Sequence, residues 1–145
     1  MANMSSTLSV SGHLDELETV SRWLDATTKA WDISGSVTFN LQLCCEELVS
    51  NAVRHGLGTS TPACDAQDHL LIRLSALSEI LQLDIEDRGP PFDPTKADEP
   101  VMPDNLESAK IGGLGIHLAR QFSDSMLYER IDGTNRVSLT FKVPQ

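Results

Sequence analysis

The chain has 145 residues, with 11 Lys+Arg against 21 Asp+Glu for a formal net charge of −10. A length of this order supports one hydrophobic core, so residues 1–145 are read as a single domain. With no cationic surplus to neutralise phosphates, and only 5% aromatic residues to stack on bases, a nucleic-acid-binding surface is not expected. The hydrophobic fraction of 40% is ordinary for a globular protein. Cys44, Cys45 and Cys64 are odd in number and lack a CxxC or Cys/His cluster, which predicts core thiols in a reducing compartment rather than disulfides or a zinc site. Neither a basic-then-apolar leader nor a membrane-length apolar run is present, so the expected location is cytoplasmic, without a membrane anchor.

Leu8 and Val10 alternate with Ser9 and Ser11, predicting a short first strand that ends at Gly12. A helix opened by His13 or Asp15 follows, with Leu14, Leu17, Val20 and Leu24 at helical spacing, until Asp32-Ile33-Ser34-Gly35 breaks it. Ser34 or Ser36 caps a second, longer helix whose apolar face is Val37, Leu41, Cys44, Leu48 and Ala52, and Gly56 with Gly58 supplies the stop. After a polar loop over 59–68, the runs at 70–74 and 81–85 read as a hairpin turning at Ser78-Glu79. Pro90, Pro91, Pro94, Pro100 and Pro103 make regular structure improbable over 88–111, and a loop of that length in a small domain is usually functional. A third helix runs from Gly112, Gly113 and Gly115 to Phe122, and strands at 126–130 and 137–143 flank a turn at Asp132-Gly133. The order β-α-α-β-β-loop-α-β-β, largely hairpin-connected, predicts an α+β two-layer sandwich: a mixed, mostly antiparallel sheet with helices on one face.

Three segments carry chemistry. Asn51 is a poor helix former placed mid-helix, four residues after Glu47. That spacing puts an amide oxygen and a carboxylate on one face beside the apolar stripe, where they can hold a hard cation and a proton acceptor together. The competing reading is a solvated helix face. Asp87 ends a strand before a turn; a carboxylate there accepts from the exocyclic amine of adenine and disfavours the carbonyl of guanine, although Asp is also a favoured turn residue. Gly112, Gly113 and Gly115 before a helix let backbone approach an anion at the positive end of the helix dipole. Lys110 precedes these glycines, which excludes a P-loop, and the strand context of a Rossmann site is missing.

In order and separation these segments resemble the GHKL (Bergerat-fold) ATP-binding family, and within it the small bacterial anti-sigma factors that act as serine-protein kinases. The likeness runs from the first strand to Lys142. The N-box is similar to Glu47-Leu48-Val49-Ser50-Asn51-Ala52, the first glycine box to Asp87-Arg88-Gly89, and the second to Gly112-Gly113-Leu114-Gly115-Ile116. The resemblance implies ATP and Mg²⁺ as cofactors, with Asn51 ligating Mg²⁺ and Asp87 contacting adenine. It also implies Gly113 and Gly115 bordering the phosphates under a lid drawn from 93–111, and Glu47 as general base. Phosphoryl transfer needs an in-line nucleophile, a metal across the phosphates and a positioned proton acceptor, and this residue set accords with that need.

The family pattern has a second glycine in the first box where this chain has Pro91, which removes an N–H and fixes φ. Thr134 and Thr140 are candidates for the adenine side, and Lys110 for a phosphate contact; Arg54 reads as solvated, His55 as a histidine favoured at a helix C-terminus by the dipole, and Trp23 and Trp31 as packing residues. The function implied is an ATP-dependent serine-protein kinase and anti-sigma regulator. It phosphorylates a serine of an anti-sigma antagonist protein, binds a sigma factor or another regulated protein, and forms a homodimer as relatives commonly do. The alternatives are a non-catalytic module whose partner affinity is set by ATP or ADP, and the ATPase fragment of a histidine kinase.

Overall fold

The computed structural model describes residues 3–11, 14–55, 69–96 and 113–143. In chain order these form β1 (Met4–Ser11), a 3-10 turn (Leu14–Glu16), α1 (Leu17–Ala30), α2 (Gly35–His55), β2 (His69–Leu77) and β3 (Ile80–Asp87). A second 3-10 turn (Pro94–Lys96), α3 (Gly113–Phe122), β4 (Ser125–Ile131) and β5 (Thr134–Lys142) complete the series. The stop at Gly56 and Gly58, the loop over 59–68, Cys64, most of the expected lid, Lys110 and Gly112 lie outside the described residues.

The two N-terminal helices end and begin as local chemistry requires. Asp32 takes a left-handed φ of 56°, and its N–H bonds to Lys29 O while that of Ile33 bonds to Thr28 O. These are the two bonds of a Schellman motif, made with Asp where Gly is usual. Ser34 rather than Ser36 caps α2: its hydroxyl accepts from the Val37 N–H at 3.5 Å and its carbonyl from the Thr38 N–H at 3.0 Å. The predicted face of α2 is buried from Val37 to Leu48 and partly buried at Ala52, and Cys45, Val49 and Val53 widen it. A face this wide contacts both neighbouring helices, α1 and α3, as well as β3.

The five strands form one sheet in the order β1-β2-β3-β5-β4. All four ladders are antiparallel, where the sequence predicted a mixed sheet. The helix pair between β1 and β2 returns the chain to the end it left, so β2 runs against β1. β4 follows α3 and runs with β3, but β5 lies between them, so the two do not pair. Alternation then sends Val10, Leu70, Ile72, Leu74, Leu81, Leu83, Ile85, Val137, Leu139 and Phe141 to one face, where they join residues of all three helices in a single core. β1 begins at Met4, earlier than expected, because the Ser-rich start has no apolar alternation of its own. It is held by pairing along the whole of β2, and the inward Ser6 hydroxyl accepts from the Trp23 indole N–H at 3.0 Å. Asp132 and Gly133 both have positive φ, 50° and 78°. That is the two-residue turn whose twist suits a hairpin, so β5 starts at Thr134. No helix among the described residues is long and apolar enough to cross a membrane.

Cys44 and Cys45 are free and fully buried. Burial, with a smaller contribution from the Glu47 charge, pushes the Cys44 thiol up from 9.0 to about 12. Burial first, then Cys44 and Glu46, pushes Cys45 up as well. The folded chain therefore keeps these protons to higher pH than the unfolded chain. Their contribution to stability is intact below the unfolded value of 9.0 and is lost as pH rises toward about 12. Urea midpoints measured from about pH 7 to about pH 10.5 are expected to fall more steeply for the wild type than for Cys44→Ala, and parallel slopes would contradict this assignment.

Candidate functional site

An open pocket lies between α2 and the end of the sheet where β3 and β5 meet. Leu48, Asn51 and Ala52 line it from α2, Ile85 and Asp87 from β3, and Asn135 and Val137 from β5; Pro90, Phe92 and Pro94 close the remaining side. Most of this wall is apolar, with three polar side chains, which is the usual make-up of a small-molecule or cofactor site. The three polar residues are all buried: Asn51 is 3% exposed, Asp87 9% and Asn135 3%.

Asn51 projects from α2 one turn before its end at His55, and its Oδ1 is a buried oxygen with no hydrogen-bond partner among the described residues. An unpaired buried acceptor costs about 1–3 kcal/mol, so its presence calls for a donor or cation that completes it. Among the described residues no group of three His, Cys, Asp or Glu is placed to hold a metal ion. A hard cation here would thus take this one oxygen from the described residues and the rest of its shell from a ligand and water, which suits Mg²⁺.

Glu47 stands one turn back on α2, half-buried, and is not part of the pocket wall. The helical spacing does put it on the same side as Asn51. Its carboxylate has no hydrogen-bond or ion-pair partner among the described residues.

Asp87 both makes the turn and faces the pocket, so the two sequence readings of it coexist. Its Oδ1 accepts from the Gly89 N–H at 2.9 Å and from the Asn135 amide at 3.0 Å. Gly89 is buried beneath this turn. Pro91 is exposed, and the backbone on either side is fixed by other means: the Asn135 amide donates to Pro90 O at 2.9 Å and Arg120 Nη2 to Pro94 O at 2.7 Å. Gly113, Leu114 and Gly115 form the first turn of α3. That helix packs on α2, where Cys44 Sγ donates to Ala119 O at 3.7 Å.

Asn135 is the pocket residue that sequence reasoning missed. No spacing links it to Asp87; the β3–β5 register makes the two direct partners across the ladder. Its neighbour Thr134 points to the other side of the strand, away from the pocket wall. Thr140 pairs with Gln82 at the far end of the ladder, and its hydroxyl meets that of Ser125. Neither threonine reaches the site.

Three helices on one face of an antiparallel sheet, with the N-box asparagine opposite the strand-end aspartate, define a class of ATP-binding domain. A model of the family described as histidine kinase-like ATPase domain matches residues 10–141, and the chain belongs to that family. It is 36% identical over 120 residues to the serine/threonine-protein kinase BtrW of Bordetella bronchiseptica, covering 81% of this chain and 80% of that protein. Among solved structures it resembles the RsbU and RsbW domains of Rv1364c from Mycobacterium tuberculosis, with a TM-score of 0.68 at 15% identity. That likeness covers 98% of this chain and 33% of the longer one, and it concerns the fold.

Proposed function

We propose that this protein is an ATP-dependent serine-protein kinase of a partner-switching pathway, acting as one cytoplasmic domain over residues 1–145. The observation that carries the reading is the pocket itself. A buried Asn51 Oδ1 with no partner among the described residues stands on one wall and a buried Asp87 carboxylate on the other, with apolar surface between them. Kinship to a protein named a serine/threonine-protein kinase over four-fifths of both chains supports the direction of the chemistry.

In this reading the adenine ring enters between Leu48, Ala52, Ile85 and Val137, and its amine donates to Asp87. Gly89 lets the backbone turn close beneath the base. The amides of Gly112, Gly113, Leu114 and Gly115 receive the phosphates, which needs no basic groove and so agrees with a chain of net charge −10. Asn51 Oδ1 holds Mg²⁺, which when bound neutralises charge on the phosphate oxygens. Glu47 accepts the proton of the incoming serine hydroxyl. The partners are then a serine-bearing antagonist, which is the phosphoryl acceptor, and a sigma factor or other regulated protein, with a second copy of the chain completing a homodimer.

The test is incubation with labelled ATP and candidate antagonist proteins encoded beside it, followed by phosphosite mapping. Label on one serine of an antagonist is the expected result. Tight ATP binding without transfer would overturn the kinase reading in favour of a nucleotide-gated binding module. Base selection gives an independent check: Asp87→Asn adds a donor to the acceptor face and is expected to lower ATP affinity about tenfold while GTP binding changes little. Equal wild-type affinity for ATP and GTP would remove Asp87 from that role.

A further inference from the structure

The carboxamide of Asn135 has five polar neighbours, and they admit one orientation. Arg130 Nη1, at 3.0 Å, can only donate, so the amide oxygen faces it and also accepts from the Tyr128 hydroxyl. Asp87 Oδ1 at 3.0 Å, Pro90 O at 2.9 Å and Gly89 O at 3.4 Å can only accept, so the amino group faces them. Arg130 Nη1 also donates to Gly89 O at 2.7 Å, so the first glycine box is held from β4 and β5 together. Because Asn135 is buried, water does not compete for these bonds.

The consequence falls on Asp87. Its Oδ1 is committed to two donors, the Gly89 N–H and the Asn135 amide. Its Oδ2 has no donor among the described residues. We propose that Asn135 is a positioning residue for nucleobase selection: it locks the Asp87 carboxylate so that one oxygen, a pure acceptor at a fixed point on the pocket wall, is presented to an exocyclic amine. This rests on the reading that Asp87 faces adenine. The lock also accounts for a first glycine box that keeps its shape with Pro91 in it, since side chains hold the carbonyls of Gly89 and Pro90.

The experiment compares the affinities of ATP and of purine riboside triphosphate, which lacks the 6-amino group, for the wild type and Asn135→Ala. The wild type is expected to prefer ATP by about tenfold or more. In Asn135→Ala the ATP affinity falls about tenfold and that of the purine analogue less than about twofold, so the preference collapses. Equal losses for both nucleotides would show Asn135 to be structural only and overturn the inference. A wild type that binds ATP without preferring it to the analogue would instead overturn the adenine reading of Asp87. Should Asn135→Ala fail to fold by circular dichroism, the double variant Tyr128→Phe/Arg130→Met leaves Asn135 in place and releases its carbonyl. Its preference is expected to drop about threefold, and an unchanged preference would overturn the proposal.

Discussion

Replacing Glu47 by Gln is expected to slow phosphoryl transfer to the acceptor serine by roughly 10²- to 10⁴-fold, the usual worth of a positioned general base. ATP affinity should change by less than about twofold, because Glu47 is outside the pocket wall and a neutral amide of the same shape leaves α2 undisturbed. The split between the two measurements is what identifies a base: a residue that merely supported the helix would weaken both. The carboxylate has the features the role requires, being half-buried, on the Asn51 side of α2 and uncommitted to any partner among the described residues. Single-turnover transfer measured beside equilibrium binding separates the outcomes. Undiminished transfer by Glu47→Gln would assign the proton to another acceptor.

Asn51→Leu is expected to move stability and binding in opposite directions. Asn51 Oδ1 is a buried amide oxygen on α2 with no hydrogen-bond partner among the described residues. Leu is a better helix former by roughly 0.5 kcal/mol and removes an orphan that costs about 1–3 kcal/mol. The ligand-free protein should therefore gain on the order of 2 kcal/mol, or about 4–8 °C in melting temperature for a chain near 150 residues. The same change deletes the proposed Mg²⁺ ligand, and magnesium-dependent enhancement of nucleotide binding should disappear. A ligand-free variant no more stable than wild type would mean that the orphaned oxygen is satisfied in solution. Retained magnesium dependence would mean that Asn51 does not touch the cation. A residue that lowers the stability of the empty protein is the pattern expected where function opposes folding.

Periodicity made the helices legible. The α2 face is buried from Val37 to Leu48 and partly buried at Ala52, as its spacing predicts, and Asp132-Gly133 marked its hairpin through positive φ, which few residues adopt without strain. The start of β1 was not legible, since Ser5, Ser6 and Thr7 become strand by pairing with β2, a property of the partner strand. The site divides in the same way. Glu47 and Asn51 are related by one helical turn and Asp87 and Gly89 by one tight turn, distances over which sequence spacing is spatial spacing.

Asn135 lies 48 residues from Asp87, and nothing local distinguishes it from the many other polar residues of a strand. Its role comes from the β3–β5 register, in which a slip of one residue would turn Thr134 into the pocket instead. Charge, periodicity and three short boxes thus sufficed for the fold class and for which residues stand near one another within one helix or one turn. Which oxygen of Asp87 has no donor among the described residues, which threonines are out of reach and what holds the Pro91 turn were decided by the tertiary structure. Cross-sheet pairing and burial bring together groups whose separation along the chain carries no trace of the contact.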